Sequence, residues 1–159
     1  MNGKFTSLRS HRAIHLIDAE NLVGGPVLSR LDVVRLRDAY STSVPVGPMD
    51  HIVVATAHNS LLSVGAEWRG IRHEMRSGKD GADICLAEIV VYEHLAERFE
   101  SIFIGSGDGG LAPFAAHLAS QGASVTAVSR IGSLSPRMRL AASNSIYLDR
   151  PNVAAAMAS

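Results

Sequence analysis

The chain carries one cysteine, Cys85, and one cysteine cannot close an internal disulfide. That excludes a disulfide-built secreted scaffold and fits a reducing compartment. Cys85 sits among Ile84, Leu86 and Ala87, where a small buried hydrophobe is expected. No Cys/His cluster of the kind that holds zinc is present. No apolar run reaches the roughly 18 residues of a membrane-spanning helix, and the first twelve residues, MNGKFTSLRSHR, lack the apolar core of a signal peptide. The expectation is a cytoplasmic protein with no membrane partner. Formal net charge is zero, so nothing about the whole molecule favours a polyanion, and nucleic-acid binding would need a local basic patch. Lysine is nearly absent, with only Lys4 and Lys79. Arginine suits bidentate phosphate contacts, but a GC-rich genome produces the same bias. Aromatics are scarce too, and Trp68, Tyr92 and Phe114 read as core or rim more readily than as a base-stacking platform.

What is present is a sequence able to bury a core. At 159 residues, with 47% hydrophobic and 19% charged residues, it fits one globular domain and neither a disordered chain nor a coiled coil. Residues 11–150 read as that domain, with residues 1–10 and 151–159 as tails and no internal repeat. Short apolar runs alternate with longer helical patterns, the signature of βαβ units and a mainly parallel sheet flanked by helices. Strands are expected at 13–17, 51–55, 71–75, 101–104, 124–128 and 145–148. Ser29 and Asp32 form a capping-box-like start for a helix running to about Tyr40, and the segment 18–28 before it reads as loop. Residues 41–48 read as loop as well. A further helix is expected from Asn59 or Ser60 to Trp68. The longest spans 82–98, with Ile84, Cys85, Ala87, Ile89, Val91, Leu95 and Phe99 as its apolar face. Pro113 suits the first turn of the next helix, which Gly122 ends. A short helix at 137–142 precedes the last strand.

In an open parallel sheet, ligands bind beyond the carboxyl ends of the strands. Asp18 immediately follows the first strand, and Asp108 follows the fourth within Gly-Ser-Gly-Asp. Asp83 lies in the first turn of the long helix, behind a glycine-bounded turn, 78–81. Singly, each has a plain structural role open to it, as a cap, a helix-favouring acid or a turn residue. Together they gather like charges that a cation or proton must offset. Oxygen ligands from several loops suit Mg²⁺ or Mn²⁺, which can activate water against a phosphodiester.

The motifs His15-Leu-Ile-Asp-Ala-Glu-Asn-Leu22, Lys79-Asp-Gly-Ala-Asp-Ile84 and Ile104-Gly-Ser-Gly-Asp-Gly-Gly-Leu111, in this order, resemble the NYN domain, a family of PIN-like nucleases. The resemblance covers roughly residues 12–150. It implies a three-layer, PIN-like (Rossmann-like) α/β fold and a divalent-metal-dependent ribonuclease, with RNA as partner and a homodimer as a frequent state. Asp18, Asp83 and Asp108 match the family's acidic positions, and Asn21 matches the Asn of its first motif. Asn21 either orients a carboxylate or water, or closes a loop through its side chain. Ser106 is a candidate to hydrogen-bond Asp108 or a phosphate, against an ordinary turn serine. For the phosphate backbone the candidates are Lys79, Arg76 and Arg130, with Arg69, Arg72, Arg137 and Arg139 nearby; a solvated surface is the commoner fate of such residues. The family's third motif usually carries a second acid two residues after the first, and here that position is Gly110. Glu20, Asp80 and Glu88 are the candidate acids to stand in for it.

Two other functions compete. Gly105-Ser-Gly107-Asp-Gly-Gly110 matches GxGxxG between a strand and a helix, with Arg130 placed for a 2′-phosphate, as in a dinucleotide-binding domain. Against it, Asp108 would set a carboxylate where a pyrophosphate needs the helix N-terminus, and little chain follows. The other rival is an RNA-binding or protein-interaction domain that kept the fold without catalysis, which Gly110 favours.

Overall fold

A computed structural model describes residues 9–25, 29–57 and 61–148. The two tails beyond position 10 at one end and 150 at the other, and the helix start at Asn59 or Ser60, fall largely or wholly outside these residues. Six strands form one sheet, all parallel: β1 (Ala13–Asp18), β2 (His51–Thr56), β3 (Arg72–Met75), β4 (Ser101–Gly105), β5 (Ser124–Arg130) and β6 (Asn144–Leu148). Their order is β3-β2-β1-β4-β5-β6. The chain moves outward from β1 to β3, then returns to the other side of β1 and moves outward again. The reversal lies between β1 and β4, where adjacent crossovers diverge and leave a crevice at the strands' carboxyl ends.

Both faces of the sheet are covered, which is why β1 is buried from end to end and has no polar alternation. On one face Ile14, Leu16, Ile102, Ile104, Val125 and Ala127 pack under α4 (Gly81–Tyr92), α5 (Leu95–Arg98), α6 (Ala112–Ser120) and α7 (Pro136–Ala141). On the other, Ala13, Ile17, Val54, Phe103 and Val128 pack under α1 (Ala19–Val23), α2 (Arg30–Ser43) and α3 (Leu61–Glu67). The strict alternation of neighbours between the two clusters is the period-two geometry of a strand. The result is a three-layer α/β fold of Rossmann type, as the sequence pattern predicts.

The capping box at Ser29 forms as expected: the Ser29 hydroxyl accepts from the Asp32 N–H, and Asp32 accepts from the Ser29 N–H. Three expectations fail locally. The segment after Asp18 is not all loop, because the five-residue α1 forms there, capped by Asp18 at one end and ended by Gly24 in the left-handed region. The helix α2 continues to Ser43, past the Tyr40 end read from its stripe. The helix expected over 82–98 is two, because His94 takes a left-handed conformation (φ 51°) between α4 and α5. The turn lets Leu95 and Phe99 enter the core that a straight helix would carry them past.

Cys85 is buried, as its neighbours imply. His15, four residues after His11, is not half of a metal-binding pair. Its ring is fully buried, stacks on Phe103 at 4.6 Å, and has both nitrogens engaged, one by the Tyr40 hydroxyl (2.7 Å) and one by Asp50 (3.0 Å). Burial pushes this imidazole below its ordinary value, against the opposing pull of Asp50. Among the described residues no helix is long and apolar enough to cross a membrane.

Candidate active site

Asp18 ends β1 at the reversal point, opposite Ala55 of β2, with Ile17 beside Gly105 of β4. Its carboxylate is 7% exposed and accepts the N–H of Asn21 at 3.1 Å, the cap that starts α1. Asp108 stands at the end of the β4 loop, exposed, with its Oδ1 accepting the Gly110 N–H at 2.8 Å. The third carboxylate arrives with α4. That helix begins hard against the end of β3: a Cβ on Gly81 would lie 2.0 Å from the Arg76 carbonyl oxygen, so only glycine permits the approach. Two residues on, Asp83 faces both other acids.

The structure therefore brings Asp18, Asp83 and Asp108 together from three separate segments. Asp83 is half-buried, and its Oδ1 is shut off from solvent with no hydrogen-bond partner. Ionised carboxylates cannot donate to one another, so contact among the three becomes favourable only when one holds a proton or a cation intervenes. Burial, followed by contact with Asp108 and Asp18, pushes the Asp83 carboxyl up to about 8. Burial likewise pushes Asp18 up to about 6, with the charges of Glu20 and Asp108 adding to it and the Asn21 N–H and Asp83 opposing. At neutral pH the cluster keeps a proton that isolated carboxylates would have lost.

Asn21 takes the loop-closing role. Its Oδ1 accepts the Gly107 N–H (3.0 Å), tying α1 to the β4 loop that carries Asp108. Arg130 braces the same point, its Nε donating to the Asn21 backbone carbonyl (3.0 Å), which puts a candidate phosphate ligand to work inside the fold. Ser106 is fully buried, and its hydroxyl accepts the Asp108 N–H (3.2 Å), so it orients Asp108 and does not face a substrate. Arg76 is ion-paired with Glu88 on the surface, which also removes Glu88 as a stand-in acid. Lys79 is exposed in the turn before α4. Glu20 accepts the Ala57 N–H through Oε1 (2.9 Å), beside Asp18 but holding β2 to α1. Asp80 does reach the site: it lines a cleft of about 350 Å³ together with Asp83 and Asp108. Its place was not legible in the sequence, because it depends on a left-handed backbone at φ 59°.

The same holds for the serines behind the site. Ser135 donates its N–H to the Gly107 carbonyl (2.9 Å) and caps α7, locking the β4 loop from the rear. Room there is so short that a Cβ on Gly107 would fall 2.1 Å from the Ser133 carbonyl oxygen. Gly107→Ala is expected to cost about 1–3 kcal/mol by overpacking, read as a lowered melting temperature.

Among the described residues no three His, Cys, Asp or Glu side chains stand at direct metal-ligand spacing. The residues present, three converging carboxylates with the buried Asp83 Oδ1 unpaired, are of the hard oxygen type that Mg²⁺ or Mn²⁺ takes. The strand order is also that of dinucleotide-binding domains. The glycine-rich segment leads instead into a 3₁₀ turn at Gly109–Leu111, and its Gly110 N–H is already occupied by Asp108, leaving a pyrophosphate in competition with a carboxylate.

No protein-family model matches the chain, and no curated protein matches it in sequence. In three dimensions it is similar to the crystal structure of a protein of unknown function from Vibrio parahaemolyticus RIMD 2210633. The TM-score is 0.66 at 12% identity, over 94% of this chain and 97% of that one. At such identity the likeness concerns the fold alone.

Proposed function

We propose that the chain is a divalent-metal-dependent ribonuclease hydrolysing phosphodiester bonds at Asp18, Asp83 and Asp108. The observation that carries this reading is the convergence of the three carboxylates at the sheet's reversal point, with one buried oxygen of Asp83 left without a partner. Asp18 and Asp108 would hold Mg²⁺ or Mn²⁺, with Asp83 joining directly or through water. When bound, such an ion neutralises phosphate charge and makes water a better nucleophile. Asp83 keeps a proton in the free protein and releases it when a cation arrives. Ser106 holds the Asp108 backbone, the Gly110 N–H fixes its carboxylate, and Asn21 sets its loop against Asp18.

Gly110 supports a second reading, in which the domain binds RNA without cutting it. A Cβ at this position would meet only Asp108, at 3.3 Å, so the backbone does not itself require glycine where the acid is missing. Labelled single-stranded and structured RNAs incubated with Mn²⁺, Mg²⁺ or EDTA separate the two. Metal-dependent cutting supports the nuclease; RNA binding with no cutting under either metal transfers the function to binding.

A further inference from the structure

The cleft beside the carboxylates has two unlike halves. Asp80, Asp83 and Asp108 supply its charge, and among the described residues no cation lines it. Ile84, Ala87, Leu111 and Phe114, with Gly110, supply the rest of its wall. Ile84 follows Asp83 directly and is 40% exposed, an apolar surface left open at the edge of an acidic cluster. Phe114 is partly buried, with its base packed on the core.

We propose that this apolar half seats one nucleobase of a single-stranded RNA, against Phe114 and next to the bond that is cut; the proposal rests on the nuclease reading above. Charge decides which part of a nucleotide can enter. Without a cation the carboxylates repel phosphate, and a cation held by Asp83 and Asp108 keeps the phosphate at the acidic end, so in both cases the polyanionic backbone stays out of the apolar half. A base is flat, uncharged and gains from apolar and aromatic contact. The cleft lies near the lower end of the ~300–1,000 Å³ typical of ligand pockets, room for one nucleoside and not for a duplex. A paired base keeps both faces stacked and cannot present one to Phe114, which makes the substrate single-stranded at the cut.

The test compares wild type, Phe114→Leu and Phe114→Trp on a single-stranded RNA and on the same RNA with an abasic residue beside the mapped cut. Leucine keeps the packing on the core and loses the aromatic face; tryptophan keeps both. Phe114→Leu should raise KM about tenfold on intact RNA, the scale of one lost base stack, with little change on the abasic RNA and recovery in Phe114→Trp. Equal KM for wild type and Phe114→Leu, or an equal rise on both RNAs, overturns the base subsite while leaving the nuclease standing. If wild type cuts nothing, titration with 2-aminopurine RNA still decides. Fluorescence quenched by wild type and not by Phe114→Leu supports the subsite without catalysis, and no difference overturns it. A change in self-association with no effect on RNA makes the cleft a protein contact and also overturns it.

Discussion

Asp108→Asn should reduce metal-dependent RNA cleavage by at least about a hundredfold, the scale on which losing one preorganised charge-stabilising group slows an enzyme, and should leave the melting temperature nearly unchanged. The two halves of this expectation come from different contacts. Asp108 is exposed, so its substitution opens no cavity. Its structural bond, Oδ1 accepting the Gly110 N–H, is one that an asparagine oxygen can also accept, and its own N–H still donates to Ser106. What asparagine cannot supply is the negative charge that a divalent ion needs. Comparing circular dichroism melts and cleavage rates for the same preparation separates the effects. Wild-type cleavage by Asp108→Asn would remove Asp108 from the machinery, and a collapsed melt would mean that the loop depends on its charge.

Asp83→Asn should stabilise the metal-free protein at pH 8 while abolishing its stabilisation by Mn²⁺. The folded state raises Asp83 from an ordinary 3.8 to about 8 and Asp18 from 3.8 to about 6. A group whose folded pKa is raised binds protons that the unfolded chain has released. The stability it contributes is therefore fully present below about pH 4 and lost as pH rises through about 6 and about 8. In EDTA the wild type should lose stability across that window. Asparagine removes one of the repelling charges and brings an amide donor to its carboxylate neighbours. Against this, a first-turn carboxylate favours its helix by about 0.3–1 kcal/mol. Asp83 is only half-buried, so solvent screens much of the nominal repulsion; a net gain of about 1 kcal/mol is expected, roughly 2–4 °C in a domain this size. Mn²⁺ binds the ionised cluster and stabilises the folded state by mass action, so its effect on wild type should grow from pH 6 to pH 8.5 and vanish in Asp83→Asn. Superimposable pH profiles for the two proteins would show that the cluster does not titrate as described.

Much of this site could be read in the sequence, because two of its acids are tied to strands. Apolar runs as clear as Ala13–Ile17 and Ser101–Ile104 fix where β1 and β4 end, and in a parallel sheet that end is where ligands bind. Asp18 and Asp108 followed from this alone. Asp83 did not: its approach depends on Gly81 abutting the Arg76 carbonyl, a contact between backbones with no pattern in side-chain type. The residue pattern set it only in the first turn of the long helix, and the motif resemblance matched it to an acidic position. Periodicity also misled at the end of α4. Leu95 and Phe99 continue the apolar spacing of the preceding helix, and the break at His94 is a backbone choice that the spacing does not record. The surroundings of Arg130 depend on the fold in a related way. An arginine after a strand looks available to phosphate until the fold presents it with the Asn21 carbonyl, more than a hundred residues away in sequence. Ser106 was open to an ordinary turn role; what the sequence could not show is that it, with Ser133 and Ser135, leans on the loop that aims Asp108.

The central claim is that Asp18, buried at the reversal point of the sheet, is part of a metal-dependent RNA-cutting centre. Cleavage of labelled RNAs by wild type and Asp18→Asn, side by side in Mn²⁺, Mg²⁺ and EDTA, tests it most directly. Wild type should cut with either metal and not in EDTA, and Asp18→Asn should not cut under any condition. Cutting that survives in Asp18→Asn, or in EDTA, would contradict it.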